Sequence, residues 1–324
     1  MFRMVHIAAI AAMGLTGPAL AQDASPALDP RIAIEAPQPS AFVEVRGARM
    51  HYLASGSDAP IVFLHGQPTS SYLWRNVMPF LEDQGRVIAP DLIGFGRSDR
   101  PDLDYTFQTH LAYLGGFMDA LDLRDVTLVV HDWGSMLGLE WARQNEERVR
   151  AVVLMEALVA PTFPMASIDR FGPYADTFRA FRDPEQGPAL LMEQNVFIEQ
   201  VLPGSILRPL RPEEMAAYRA PFPDPADRLP LLMWPNELPI AGEPARNVDV
   251  FEAVNAWLAA SPVPKLLIYF DPGVLVPPEA ARWMEDNFAN LDIRYGGAGL
   301  HFVQEDQPVA IGRLTADWLH SLKN

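Results

Sequence analysis

The sequence contains no cysteine, so it can form neither a disulfide nor a thiolate metal site. An oxidising compartment would therefore have no thiol to oxidise. Basic residues are also scarce, because 25 Lys and Arg stand against 41 Asp and Glu in 324 residues, for a formal net charge of −16. This acidic balance argues against nucleic acid or an anionic membrane as a partner, and it disfavours a strongly anionic substrate.

Long apolar runs are missing everywhere except near the N-terminus. A basic residue at Arg3, an apolar run over 7–15 and small residues ending at Ala21 are typical of a secretory signal peptide, and the run is too short to span a membrane. Cleavage after Ala21 removes residues 1–21, including Arg3, and changes the net charge to −16 − 1 = −17. We therefore expect a periplasmic or secreted protein. Residues 22–40, rich in Pro, Ala, Asp and Ser, predict a flexible lead-in.

The apolar patterns predict a mostly parallel sheet covered by helices. Residues 42–55 alternate and break at Gly47, which is typical of an antiparallel hairpin. Six continuous apolar runs follow and predict buried strands, at 61–65, 86–91, 126–131, 149–155, 265–271 and 291–295. Most are separated by helical patterns, for example at 107–121, 135–145, 278–288 and 308–322. Strands that alternate with helices indicate an α/β domain with helices on both faces of the sheet.

One long stretch interrupts this alternation. Residues 157–263 are proline-rich, helical in pattern and too long for a loop in a compact domain. They predict a helical cap, inserted between the two halves of a core that comprises 41–156 and 264–324. Because ligands of open α/β sheets bind at the carboxyl ends of the strands, such a cap would close the site.

The run 126–131 ends abruptly at Asp132, followed by Trp133, Gly134 and the start of a helix. A strand that turns sharply into a helix exposes the residue at the bend for attack on a substrate. A carboxylate at that position would form an ester with carbon, whereas a serine performs acyl transfer. Asp is also a favoured N-cap residue, so this motif by itself supports a nucleophile and a helix cap equally.

The loop after the run 61–65 begins with Gly66, Gln67 and Pro68. In this architecture that loop supplies one backbone N–H to an anion hole beside the nucleophile, and Trp133 would supply the other. A simple turn is the alternative for the loop. The glycines within 91–99 lack the third glycine and the helix start of a dinucleotide-binding motif, so we exclude that function.

An ester on Asp132 needs a base that activates water and an acid that orients the base. Of the seven histidines, His301 is best placed, in a glycine-rich loop over 296–301 between the last strand and the last helix; an exposed loop histidine is its alternative role. Glu156 and Asp271 each follow a strand run and are the two candidates for the orienting acid. Either could instead cap a helix or a turn.

Several stretches of the chain resemble the haloalkane dehalogenases, from about residue 41 to the end. They are 65–75, 91–98, 131–135, 194–199, 235–240 and 299–306. The resemblance implies an α/β-hydrolase fold with a mostly parallel eight-stranded sheet, helices on both faces and an inserted helical cap. It further implies hydrolysis of a small apolar haloalkane to an alcohol, a halide ion and a proton, without a metal or organic cofactor, by a monomer or small homo-oligomer.

The resemblance also assigns roles to particular residues. It is strongest to the second subfamily, whose catalytic acid follows the sixth strand, and that position is Glu156. Asp271 then becomes a secondary, structural acid. The indole of Trp133 would bind the halide together with the residue after His-Gly, which is usually Asn in the family and is Gln67 here. Because Gln carries the same donors on a stem longer by one methylene, we expect altered halide preference or pocket size rather than loss of function.

The resemblance further predicts which cap residues line the substrate pocket. Phe197 and Pro235 match pocket positions of the family, whereas Phe171 and Leu275 rest on weaker similarity; plain core packing is the alternative for all four.

Two other functions compete with this one. An epoxide hydrolase shares the Asp nucleophile but needs cap tyrosines that protonate the opening ring, and Tyr174 and Tyr218 are the candidates. A non-catalytic binding protein of the same fold would be expected to lack at least one member of the catalytic triad.

Overall fold

The computed structural model describes residues 32–323, which are organised around one eight-stranded sheet. The predicted signal peptide over 1–21 lies outside the described residues. The strand order is β1-β2-β4-β3-β5-β6-β7-β8. In chain order the strands are β1 (Ser40–Val45), β2 (Ala48–Ser55), β3 (Pro60–Leu64), β4 (Arg86–Pro90), β5 (Val126–Asp132), β6 (Val149–Ala157), β7 (Lys265–Pro272) and β8 (Leu291–Gly299).

The pairing of the strands confirms the predicted hairpin and the mostly parallel sheet. β1 and β2 are antiparallel, with Phe42 opposite His51, and β2 joins β4 antiparallel. All other neighbours are parallel. Every residue of the central strand β5 is buried, as expected for a strand covered on both faces. The residue at its carboxyl end is therefore held in a rigid frame.

Eleven α-helices occur within the described residues. They are α1 (Phe107–Ala120), α2 (Trp133–Gln144), α3 (Ala175–Arg182), α4 (Gln186–Pro188), α5 (Leu202–Gly204), α6 (Pro212–Arg219), α7 (Leu229–Glu237), α8 (Ala245–Ala260), α9 (Pro278–Asn287), α10 (Val303–Asp306) and α11 (Pro308–Ser321). Short 3-10 or π-helical turns cover Ser71–Trp74, Met78–Phe80, Glu146–Arg148, Ile168–Tyr174, Ala189–Glu193, Phe197–Val201 and Pro225–Arg228. None of the helices described is long and apolar enough to cross a membrane.

The chain between β6 and β7 forms helices and helical turns, joined by loops and no strand of the sheet. This is the stretch for which the sequence predicts a cap. Its last helix, α8, packs against α2, which directly follows β5. The predicted cap over 157–263 therefore includes a helix that packs on the core.

The end of the chain differs from expectation at the glycine-rich segment. The sequence predicts a loop over 296–301, but β8 continues through Gly299, with Ala298 opposite Asp271 and Gly299 opposite Pro272. The ladder with β7 passes over Gly296 and Gly297 at a register shift and resumes at Ala298 and Gly299, so the segment remains a strand. His301 follows this strand almost immediately, and the short helix α10 precedes α11.

The C-terminal part of the predicted lead-in is also fixed. The backbone N–H of Ala33 donates to Asn76 Oδ1 at 2.8 Å, Arg75 Nε donates to the Ala33 carbonyl at 3.0 Å, and the Tyr72 hydroxyl donates to the Ile34 carbonyl at 2.6 Å. The expectation of a flexible segment over 22–40 is thus wrong for its last residues, because core side chains satisfy its backbone groups. Residues 22–31 lie outside the described part of the chain.

Candidate active site

Asp132 lies at the bend between β5 and α2 in a strained conformation. Its φ is +50° and its ψ is −133°, in the region that residues other than glycine rarely adopt. Two glycines make room for the bend: a Cβ on Gly134 would lie 2.3 Å from the Leu64 carbonyl oxygen, and one on Gly66 would lie 2.0 Å from Asp132 Oδ1. The Asp132 side chain makes no capping hydrogen bond to α2, which excludes the alternative role of helix cap.

The two oxygens of the Asp132 carboxylate have different surroundings. Oδ1 accepts a hydrogen bond from the backbone N–H of Gln67 at 2.7 Å. Oδ2 lies 3.5 Å from Nε2 of His301, which is a long and weak hydrogen bond. One oxygen is therefore held by the backbone N–H of Gln67, while the other remains less constrained.

His301 and Glu156 complete a triad with Asp132. Nδ1 of His301 lies 3.1 Å from Oε2 of Glu156. Glu156 is 1% exposed, and its carboxylate accepts the backbone N–H groups of residues 274–276 at 2.9 to 3.2 Å. These donors fix the acid in place, so the Glu156 carboxylate is available to orient the imidazole.

Asp271, the other candidate acid, is not part of this group. It lies near the end of β7 with an exposed side chain, and no described residue hydrogen-bonds to its carboxylate. The geometry therefore distinguishes the two acids that the sequence left open.

The protonation states in the triad depend on the two carboxylates. Burial opposes a charge on His301, but hydrogen bonds and charge interactions with Asp132 and Glu156 outweigh it and raise the pKa of His301 to about 9. Burial likewise opposes ionisation of Asp132, yet the hydrogen bond and charge of His301 and the N–H of Trp133 lower the pKa of that carboxyl. At neutral pH the free site thus holds an imidazolium between two carboxylates.

His131 is a further residue of the site. From the sequence it is only the last residue of the apolar run before the bend, with no role assigned to it. Its ring is fully buried, with its centroid 4.7 Å from that of His301, and its Nε2 lies 2.8 Å from the backbone carbonyl oxygen of His301. Burial and the neighbouring His301 lower the pKa of His131 to about 3. His131 is therefore neutral, donates to the main chain of His301 through Nε2–H, and adds no positive charge beside the imidazolium.

Trp133 and Gln67, the predicted halide ligands, both flank Asp132 but differ in availability. Within the described part of the chain, no group accepts a hydrogen bond from Nε1 of Trp133, although its side chain is 3% exposed. Gln67 Nε2 donates to the backbone carbonyl of Leu231 in α7 at 2.7 Å. One of the two N–H groups of the Gln67 amide is thus bound to the cap, which leaves the other for a leaving group.

Aromatic rings connect Trp133 to the stretch between β6 and β7. The Trp133 ring lies 6.2 Å from Phe251, which lies 6.2 Å from Phe163, and Phe163 lies 6.2 Å from Phe171. Phe171 stacks on Phe178 at 4.1 Å. These rings provide the apolar surroundings that an uncharged organic substrate requires.

The four predicted pocket residues have separate positions. Phe171 belongs to this series of rings, and Phe197 joins it through Phe181, 5.0 Å away. Pro235 lies buried within α7, and its carbonyl accepts a hydrogen bond from Arg182 at 2.8 Å. Leu275 is buried, and its backbone N–H donates to Glu156 at 2.9 Å, which gives this residue a role in holding the acid.

A buried ionic cluster, which we call the cap joint, lies next to the segment that carries His301. It consists of Arg75, Arg208, Glu214, Tyr218 and Glu305. Arg75 Nη1 lies 2.6 Å from Glu305 in α10, and Arg75 Nη2 lies 3.0 Å from Glu214 in α6. All three side chains are 0% exposed. The joint therefore connects the cap to the helix that follows His301, and no local sequence pattern indicates it.

The two cap tyrosines that an epoxide hydrolase would use lie in different surroundings. The hydroxyl of Tyr218 donates to Glu305 within the cap joint, and burial raises the pKa of Tyr218 well above its usual range. Tyr174 is 37% exposed. Neither observation supports the protonation of an opening epoxide.

Comparisons with known proteins agree with this geometry. A model of the alpha/beta hydrolase fold matches residues 59–308. A haloalkane dehalogenase from Agrobacterium fabrum (strain C58 / ATCC 33970) is 43% identical over 273 residues, which cover 84% of this chain and 89% of the relative. One from Sphingobium indicum (strain B90A) is 46% identical over 288 residues, which cover 87% and 95%.

Solved structures are similar over nearly their whole length. The crystal structure of the haloalkane dehalogenase DbeA from Bradyrhizobium elkani USDA94 superposes with a TM-score of 0.85 at 44% identity, covering 88% of this chain and 98% of that one. That of the haloalkane dehalogenase DatA from Agrobacterium tumefaciens C58 gives a TM-score of 0.82 at 40% identity, covering 89% and 98%. The fold is thus shared with haloalkane dehalogenases that have been solved by crystallography.

Proposed function

Because the chain belongs to the haloalkane dehalogenase family, we propose that it hydrolyses haloalkanes through an alkyl ester on Asp132. The observation that carries this mechanism is the carboxylate of Asp132, which occupies the strained bend and faces Nε2 of His301, while Nδ1 of the same ring lies against Glu156. The net reaction converts a haloalkane and water to an alcohol, a halide ion and a proton. Release of bromide from a short bromoalkane tests it directly, and no halide from a broad haloalkane panel would exclude it.

The first step is displacement of the halide by Asp132. Since Oδ1 is held by the backbone N–H of Gln67, we assign the attack to Oδ2. An electron pair of Oδ2 forms the bond to carbon while the carbon–halogen bond breaks, and negative charge grows on the halogen. The indole N–H of Trp133 and the second N–H of Gln67 stabilise that charge more strongly in the transition state than in the substrate.

The ester itself prepares His301 for the second step. Formation of the ester removes the negative charge of Asp132, which is one of the two causes that raise the pKa of His301. The pKa of His301 then falls, and the imidazolium loses its proton to solvent, which is the proton released in the net reaction. A neutral Nε2 can now act as a base. Alkylation of Asp132 thus converts His301 to the neutral base that hydrolyses the alkyl ester.

Hydrolysis follows at the carbonyl carbon of the ester. His301 Nε2 takes a proton from water as the water oxygen attacks Cγ of Asp132, and Glu156 stabilises the imidazolium. The oxyanion forms on Oδ1, where the N–H groups of Gln67 and Trp133 already lie. Collapse of this intermediate returns a proton to the leaving alcohol and restores the carboxylate.

Gln67 supplies a test of the proposed halide cradle. Gln67→Asn withdraws the amide by about 1.5 Å, so the bond to Leu231 is lost and both N–H groups can turn to the halide. We expect bromide to bind several-fold more tightly and the free energy of unfolding to fall by about 1 kcal/mol, because the Leu231 carbonyl loses its donor. Tryptophan fluorescence during a bromide titration and urea unfolding measure the two effects.

The matched control is Gln67→Leu, which removes the amide at similar size. Because hydrogen bonds to charged groups contribute about 1.5–3 kcal/mol, bromide should bind about 10-fold more weakly or worse. Unchanged bromide affinity in Gln67→Leu would show that Gln67 serves only as a bond to the cap.

We also propose that the protein is exported and that cleavage after Ala21 produces the mature chain. The support comes from the sequence of 1–21 alone, with its apolar run and small residues. When residues 1–324 are expressed in a Gram-negative host, the protein should appear in the periplasmic fraction. Its mass should be that of a chain that begins at Gln22. A cytoplasmic protein that retains residues 1–21 would contradict this proposal.

A further inference from the structure

A second arrangement of serine, histidine and aspartate lies at the sheet edge formed by β1 and β2. Ser40 Oγ at the start of β1 lies 2.7 Å from Nε2 of His51 in β2. Nδ1 of the same ring lies 2.7 Å from Oδ2 of Asp91, which directly follows β4. These are the contacts of a nucleophile with its base and of a base with its orienting acid. None of the three residues belongs to the site around Asp132.

The surroundings of Asp91 set the tautomer of His51. Asp91 Oδ1 accepts the backbone N–H of Ser71 at 2.7 Å, and Oδ2 accepts that of Arg97 at 2.7 Å. Burial opposes the charge, but the hydrogen bond and charge of His51, the nearby His65 and these amides lower the pKa of Asp91. An ionised carboxylate only accepts, so Nδ1 of His51 carries a proton and donates to it.

Nε2 of His51 carries a lone pair, because its neighbour Arg97 can only donate. Arg97 Nη1 lies 3.4 Å from Nε2, and a guanidinium can only donate. Nη1 also donates to Ser40 Oγ at 2.8 Å. The Ser40 hydroxyl is therefore left to donate its proton to Nε2. His51 is thus placed as the adjacent base that a serine nucleophile needs, and Arg97 stabilises negative charge on Oγ.

The base and the acid are buried, whereas the serine is accessible to a substrate. The side chains of His51 and Asp91 are each 2% exposed, whereas Ser40 is exposed. The ring of Phe42, 43% exposed, lies beside the serine on the same strand and 5.2 Å from the ring of His51. The guanidinium of Arg97 lies 5.6 Å from the centre of the Phe42 ring. An aromatic group can stack here while an oxyanion forms next to a cation.

We propose that Ser40, His51 and Asp91 form a second hydrolytic site, which accepts small aryl esters. Ser40 Oγ forms a bond to the carbonyl carbon and passes its proton to His51 Nε2. The ester C–O bond breaks, and the phenol leaves with that proton. Water then attacks the acyl carbon and passes a proton to Nε2, the bond between that carbon and Oγ breaks, and Nε2 returns the proton to Ser40 Oγ as the carboxylic acid leaves. Arg97 stabilises the oxyanion in both steps, and Phe42 holds the aryl ring.

Two probes test this site on the full-length protein. A fluorophosphonate reagent should label Ser40, identified by mass spectrometry of the peptides. Hydrolysis of p-nitrophenyl acetate should exceed the rate in buffer, and Ser40→Ala should lower it by about 10²-fold or more, because the base then has no nucleophile to activate. Ser40 is exposed at the start of an edge strand, so this substitution leaves the fold intact, and unchanged bromide release from a bromoalkane verifies that.

The controls separate this activity from the main one. Ser57 is another exposed serine, whose hydroxyl donates to Asp58 at 3.3 Å and contacts no histidine, so Ser57→Ala should keep full esterase activity. Asp132→Asn should lose halide release and retain esterase activity. The proposal is overturned if the label lies elsewhere, if Ser40→Ala and Ser57→Ala hydrolyse the ester equally, or if the wild type does not exceed the buffer rate.

Discussion

Replacing His301 by phenylalanine is expected to produce a protein that releases one halide ion per molecule and then stops. The displacement by Asp132 does not use His301, so the alkyl ester still forms. Its hydrolysis loses the base and should slow by about 10²–10⁴-fold. Halide measured against protein concentration gives the stoichiometry, and the mass of the peptide that contains Asp132 shows the trapped alkyl group.

Asp132→Asn provides the contrast, because an amide is a poor nucleophile. This variant should release no halide and gain no mass, although its side chain has nearly the same size. Sustained turnover by His301→Phe at the rate of the wild type would contradict the assignment of His301 as the base. A single turnover by Asp132→Asn would contradict the assignment of the nucleophile.

Glu156→Gln is expected to lower turnover by about 10³–10⁴-fold. With its oxygen at the position of Oε1, Gln can still accept the N–H groups of Val274 and Val276, so its NH₂ group takes the place of Oε2 and faces Nδ1 of His301, where it also loses the bond from the Leu275 N–H. Nδ1 of His301 then has to accept a hydrogen bond, so the proton of the neutral ring moves to Nε2. Nε2 can then no longer act as the base. The pKa of His301 in the free protein should also fall below about 9, because one of its two carboxylates is gone. NMR titration of the imidazole measures this shift, with the charged form lost at lower pH than in the wild type.

The matched control is Asp271→Asn, which removes an exposed carboxylate that follows a neighbouring strand run. Turnover and the pKa of His301 should both remain at wild-type values. If this variant were inactive and Glu156→Gln were active, the acid would lie at the end of β7 instead of β6.

Much of the architecture could be predicted from the sequence because its signals are local. Continuous apolar runs locate the parallel strands, since both faces of each strand are buried, and the eight-stranded sheet confirms that prediction. The family that the motifs indicate is likewise confirmed. The position of Asp132 is also local, because an apolar strand, an acid and Gly134 at fixed spacing describe a bend that few other residues permit.

What the sequence could not indicate depends on contacts between distant segments. The bond from Gln67 to Leu231 joins residues 164 positions apart, and neither carries a motif for it. His131 contacts the main chain of His301 across 170 positions, and the role of Leu275 comes from its backbone rather than its side chain. Periodicity identifies which face of an element is buried, but it does not pair one element with another. The strand over the glycines near 296 was missed because its backbone ladder outweighs the usual preference of glycine for turns.

The cap joint is exposed to the changes in salt concentration and pH that the proposed reaction causes. Each turnover of the proposed reaction adds a halide ion and a proton, so ionic strength rises and pH falls as product accumulates. Added salt weakens exposed pairs such as Arg124–Asp122, whose side chains are 71% and 78% exposed, whereas it screens the buried pairs of Arg75 much less. Arg208 and Arg211 overcome the effect of burial and hold the pKa of Glu214 far below its usual value, so mild acid leaves it charged. The attachment of the cap beside His301 is therefore built to withstand the two products of catalysis.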